Sequence, residues 1–214
     1  MRKTIFCDVD TQYDFMVPGG KLFVPDANKI YENLKKITEY ARNFSFQIVG
    51  SMDDHEMTDP EISEKPDFKN TFPPHCLRGT AGYEKIEATR PKNPMYIEHG
   101  SLTKEELKKK LQSHRGEILI KKKRFDVFTN PNTNAILDIL SPDNIVVYGV
   151  CTDVCDKFAI EGFLKRGKSK IYFVQDAAKP LSKKEEERLV REWQQRGVLI
   201  IKTKEVLEGK ILNQ

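Results

Sequence analysis

No stretch of this chain approaches the length and apolarity needed to cross a membrane. A signal-peptide core is missing too: Arg2 and Lys3 are followed by only a few apolar residues before Asp8. Cysteine is scarce. The 4 thiols, Cys7, Cys76, Cys151 and Cys155, lack the spacing of a disulfide framework, which argues for reduced thiols and a cytoplasmic protein. Charge of one sign is not in excess. The 36 Lys and Arg residues face 32 Asp and Glu, a formal balance of +4, which favours solubility over a nucleic-acid footprint. The densest basic run, Lys121 to Arg124, has no interleaved aromatic platform for single strands. Internal repeats, low-complexity tracts and a second-domain boundary are also lacking, so residues 1–214 are expected to form one domain.

What the chain does have is a series of apolar runs with little polar alternation, separated by helical patterns. Residues 3–9, 44–52, 117–122, 144–150, 170–174 and 198–201 read as strands, with a shorter one at 95–98. Helical periodicity marks 27–42, 103–112, 132–140, 152–166 and the stretch after Ser182, where Leu189, Val190 and Trp193 form an inward stripe. Thr103 with Glu106, and Ser182 with Glu185, have the spacing of capping boxes. This pattern predicts an α/β fold: three αβα layers around a mostly parallel central sheet of about six strands. In such sheets ligands bind at the carboxyl ends of the strands.

Chemistry-bearing residues fall at those ends. The run Asn144–Val150 stops at a short polar turn, and Cys155 follows in what reads as the first turn of a helix capped by Thr152. A helix start lowers a thiol pKa and favours the nucleophilic thiolate. Taken alone, Cys155 reads as a small core residue, Asp10 as a turn residue and Lys122 as a surface lysine. At the ends of adjacent strands they become nucleophile, base and charge stabiliser.

A second constellation lies in the long segment 53–82. Asp53 and His55 are two residues apart at a strand end, so extended backbone points both side chains the same way. His75 follows, with Glu61 between. One carboxylate and two imidazoles suit zinc, manganese or iron, with Glu61 as a further candidate ligand. Only 4 histidines occur in the chain, and two of them are here. A Cys151–Cys155 metal site is disfavoured, because no second cysteine pair would complete it.

Three segments in order resemble the isochorismatase-like cysteine hydrolases: Asp10-Thr11-Gln12-Tyr13-Asp14-Phe15, Lys122 to Phe128, and Gly149 to Cys155. The resemblance implies catalytic roles for Asp10, Lys122 and Cys155, an oxyanion hole of the Cys151 and Cys155 N–H groups, and a cis peptide between Val150 and Cys151. Within that family, Asp53-Asp54-His55 and Pro73-Pro74-His75-Cys76 look like the metal-carrying nicotinamidase version. That version implies Asp53, His55 and His75 as ligands of a divalent metal, zinc first, with Glu61 or Glu64 where the family often has histidine. It further implies Phe15 and Phe72 against the substrate ring, and hydrolysis of nicotinamide to nicotinate in NAD salvage. The expected partner is a small molecule, with no nucleic acid or membrane; a homo-oligomer is compatible with this. The rival readings are another amide, a carbamoyl compound or isochorismate as substrate, and a non-catalytic binding protein. A further rival is a phosphatase of the haloacid dehalogenase type, whose first motif Ile5 to Asp10 resembles, with Asp8 as nucleophile.

Overall fold

The computed structural model describes residues 3–211. In chain order the first half holds β1 (Thr4–Val9), α1 (Tyr13–Met16), α2 (Tyr31–Asn43), β2 (Gln47–Asp53), β3 (Met95–Ile97) and α3 (Lys104–Ser113). Then come β4 (Ile118–Lys122), α4 (Thr133–Leu140), β5 (Asn144–Val150), α5 (Cys155–Arg166), β6 (Lys170–Lys179), α6 (Lys183–Gln195), β7 (Leu199–Ile201) and α7 (Thr203–Leu207). The strands form one parallel sheet of seven in the order β3-β4-β2-β1-β5-β6-β7. This is the expected three-layer α/β architecture.

Alternation along the strands divides the core in two. Ile5, Cys7 and Val9 of β1 pack with Leu107, Ile136, Phe163 and Trp193, from α3, α4, α5 and α6. Phe6, on the other face, packs with Met16, Leu34, Ile37 and Val206, from α1, α2 and α7. Every residue of β1 and β5 is buried, as strands covered on both faces require. Among the described residues no helix is long and apolar enough to cross a membrane.

Two elements differ from the sequence expectation. β6 runs on to Lys179 rather than stopping at Val174. The polar residues that end its apolar run have partners there: Asp176 accepts the N–H and hydroxyl of Thr203 at 2.7 and 2.8 Å. The helix expected from residue 152 starts at Cys155, with Val154 at its N-cap position. Thr152 is no cap, because the Cys151 carbonyl takes the N–H groups of Val154 and Asp156 at 3.0 and 3.1 Å and winds residues 151–154 into a tight turn.

Gly149 sets how closely that turn approaches β1. Its φ is +132°, and a Cβ there would run into the Val9 backbone. The register between β5 and β6 shifts between Val147 and Gly149, and the Val150–Cys151 peptide is cis.

Candidate active site and metal centre

The strand order brings four chain segments together. β4, β2, β1 and β5 are consecutive neighbours, so Lys122, Asp53, Asp10 and the turn before Cys155 lie side by side at the carboxyl edge. Lys122 is the hub. Its ammonium lies 2.9 Å from Asp10 Oδ2, pairs closely with Asp53 Oδ1 and stands 3.7 Å from Cys155 Sγ. All four side chains are buried. Asp10 has a φ of +46°, and its other oxygen accepts the Ser51 hydroxyl at 2.7 Å.

The electrostatics correct one expectation. Burial pushes the Cys155 thiol well above its ordinary pKa, and the Lys122 charge only partly offsets this. Cys155 therefore rests as a thiol, and the helix start alone does not make it a thiolate. Burial also works against the Lys122 charge, but Asp10 and Asp53 outweigh it and raise its pKa well above the ordinary value.

Asp53 joins this cluster to the second one. Its Oδ2 lies 3.6 Å from His75 Nε2 and 3.9 Å from His55 Nε2, and Glu61 Oε1 is 3.8 Å from both imidazoles. Ligand atoms of Asp53, His55, Glu61 and His75 all fall within 4.8 Å of one another, and all four residues are buried. Glu64, the alternative to Glu61, is exposed and outside the group.

The donor chemistry fits a cation. His75 Nδ1 lies 2.7 Å from the Pro73 carbonyl, which can only accept, so Nδ1 carries the proton and Nε2 presents a lone pair inward. His55 Nδ1 lies 3.3 Å from Asp59 Oδ2, which fixes the same tautomer. His55 Nε2 and Glu61 Oε2 are buried without a hydrogen-bond partner among the described residues. Burial and then the Asp53 charge push the Glu61 pKa up to about 7. Burial lowers the His55 pKa; at His75 Asp53 outweighs burial and raises it.

Supporting residues came out of the structure alone. Gln12 accepts the Asp53 N–H at 2.7 Å and donates to the carbonyls of Asp53 and Tyr83 at 2.9 and 2.8 Å. Asp14 accepts the Cys76 N–H at 2.7 Å, tying the segment after His75 to α1. Asp59 is held by Lys123 at 2.8 Å while it orients His55. Carboxylates that orient a ligating histidine govern metal affinity. An Asp59→Asn variant is expected to bind zinc about 10- to 100-fold more weakly, measured by competition with a chelating indicator. An unchanged affinity would remove Asp59 from the centre.

A pocket of about 410 Å³, counting the space at its mouth, opens over both clusters. Phe15, Leu22, Val24, Phe72, Phe125 and Val154 form its walls, and Leu181 stands at its edge. Asp53, Glu61, His75, Cys151 and Cys155 supply its polar and sulfur surface, and among the described residues no Lys or Arg lines it. The rings of Phe15 and Phe72 lie 5.6 and 6.4 Å from that of His75. The turn leaves the Cys151 and Cys155 N–H groups without a backbone carbonyl partner among the described residues; the Cys155 N–H leans on the Cys151 sulfur.

Asp8, the phosphatase candidate, does not line this pocket. It is buried, pairs with Lys85 at 2.9 Å and accepts the Thr11 hydroxyl at 2.8 Å, so it is not free to attack a phosphate.

Comparisons with known proteins agree with this fold. The Isochorismatase domain family model matches residues 4–205. Among solved structures, a nicotinamidase from Bacillus subtilis is similar at a TM-score of 0.71 and 19% identity, over 94% of this chain and 99% of that one. A pyrazinamidase from Pyrococcus horikoshii in complex with zinc gives 0.72 and 23%, over 94% and 99%. An N-carbamoylsarcosine amidase from Thermoplasma acidophilum gives 0.70 and 22%, over 94% and 96%. No curated protein matches the sequence significantly.

Proposed function

Because this chain belongs to the isochorismatase family of hydrolases, we propose that it hydrolyses nicotinamide to nicotinate and ammonia, as a step of NAD salvage. The observation that carries this reading is the single buried network in which Lys122 links Asp10 and Cys155 to Asp53 of the four-residue metal group. The apolar, aromatic walls add to it, since they suit a neutral flat ring. The zinc-bound pyrazinamidase neighbour supports the metal assignment.

Asp53, His55, Glu61 and His75 would hold a divalent metal, zinc by preference. When bound, the metal supplies a Lewis-acidic contact for a ring nitrogen. Phe15 and Phe72 flank the ring. Asp10 takes the proton of Cys155, and Lys122, beside both, stabilises the thiolate as it forms. The sulfur attacks the carboxamide carbon, and the carbonyl oxygen gains negative charge. The N–H groups of Cys151 and Cys155 are the donors for that oxyanion. The tetrahedral species collapses as Asp10 gives its proton to the departing nitrogen, which leaves as ammonia. Water then attacks the thioester with Asp10 again as base, releasing nicotinate and restoring the thiol.

Ammonia release from nicotinamide by metal-loaded protein is the direct test; no turnover would sink the substrate assignment. Stripping the metal with a chelator is expected to weaken nicotinamide binding about tenfold or more, the loss of roughly 1.4 kcal/mol or more of contact energy. Calorimetric titration checks this, and equal binding with and without metal would end the ring-contact role. The carbamoyl-amide reading follows from the N-carbamoylsarcosine amidase neighbour. It is weaker because the walls are apolar and aromatic and, among the described residues, no Lys or Arg lines the pocket to pair with a carboxylate-bearing substrate, isochorismate included.

A further inference from the structure

The segment between β6 and α6, Pro180 to Ser182, forms a strap across the edge of the pocket. It is fastened to the turn that carries Cys155. The Thr152 N–H donates to the Lys179 carbonyl at 2.9 Å. The carboxylate of Asp153 accepts the N–H of Leu181 on one oxygen and that of Ser182 on the other, both at 2.8 Å. Pro180 restricts the backbone between these anchors. The result places Leu181 against the pocket while half of its surface, 50%, stays in water. A large apolar side chain held in that position by one backbone–backbone hydrogen bond and two to the Asp153 carboxylate is anchored at the entrance, not packed into the core.

We propose that Leu181 is the specificity-determining residue of the mouth. Fixed by Asp153, it forms an apolar sill that admits small flat amides and turns away amides with a bulky or polar extension at that edge. The proposal rests on reading Cys155 as the nucleophile under this mouth, but not on nicotinamide being the substrate. A single well-placed methyl or methylene in such a pocket discriminates by about 10- to 200-fold, so truncating Leu181 has an effect large enough to measure.

The test follows access to Cys155 directly. The probes are iodoacetamide and the bulkier N-(1-naphthyl)iodoacetamide, with labelling of Cys155 mapped by fragment masses. In the native protein iodoacetamide is expected to react faster. Leu181→Ala is expected to raise the bulky-to-small rate ratio about tenfold, and Leu181→Trp to lower it. Asp153→Ala, which keeps the leucine but cuts two of its anchors, is expected to raise the ratio severalfold. Leu207→Ala, an exposed leucine of α7 outside the pocket, leaves it unchanged. Ratios within twofold of native for both Leu181 variants would overturn the proposal, as would a Cys155 that takes neither probe even in Leu181→Ala. If the ratios shift as expected while nicotinamide is not hydrolysed, the mouth assignment stands and the substrate assignment falls.

Discussion

A Cys155→Ala variant is expected to lose ammonia release from nicotinamide by about four orders of magnitude or more, the scale seen when a hydrolase loses its nucleophile. Its fold, metal content and nicotinamide affinity are expected to persist. Removing one buried sulfur costs on the order of 1 kcal/mol of apolar contact, and Lys122 keeps both carboxylate partners without it. The combination is the informative part. Metal analysis, calorimetric titration with nicotinamide and a coupled ammonia assay on one preparation separate loss of chemistry from loss of binding. The raised pKa of the thiol sharpens this: burial favours the protonated form of Cys155, so the proposed attack would need a base to take its proton. Asp10→Asn is therefore expected to approach the alanine variant in activity. Retention of a tenth of native turnover in Cys155→Ala would show that another group performs the attack.

The residues that meet at the candidate site stood out in the sequence because each lies at or just past the end of an apolar run. Asp10 follows β1, Asp53 and Lys122 close β2 and β4, and Cys155 follows β5 after the Gly149 turn. Their adjacency was not legible from spacing, since the order β4-β2-β1-β5 comes from pairing between distant segments. Thr152 shows the opposite failure. Threonine before a helix is a strong cap signal, but the Cys151 carbonyl gathers the nearby N–H groups and moves the helix start to Cys155. The pKa of Cys155 failed for a related reason: a helix terminus was expected to lower it, and full burial overrides that effect. Asp59 and Asp153 gave no signal as supporting residues, and Gln12, though part of the first family-like segment, gave none of its role. Gln12 grips the backbone of a residue 41 positions away, and Asp153 that of residues 28 and 29 positions away. Asp59 was hidden among the other carboxylates of the long segment after Asp53, where only the fold shows which one faces His55.

The second large effect belongs to Lys122. Its ammonium lies among two buried carboxylates and a buried thiol, so Lys122→Met leaves Asp10 and Asp53 facing each other without their shared cation. Breaking a buried pair from one side costs about 3–5 kcal/mol. For a chain of this size that corresponds to a fall in Tm of roughly 6–20 °C, at about 2–4 °C per kcal/mol. Turnover is expected to fall about 100- to 1000-fold as the charge beside the reacting sulfur is lost. Adding Asp10→Asn removes one stranded carboxylate and is expected to recover part of the Tm but none of the activity. Metal affinity gives a further sign that generic destabilisation would not. Asp53 serves Lys122 through one oxygen and faces the imidazoles through the other, so the ammonium and a bound cation share one carboxylate. Without Lys122, zinc is expected to bind more tightly and to raise the Tm of the variant more than that of the native protein. Weaker zinc binding in Lys122→Met, or a Tm within 2 °C of native, would show that Lys122 does not set the charge balance between the two clusters.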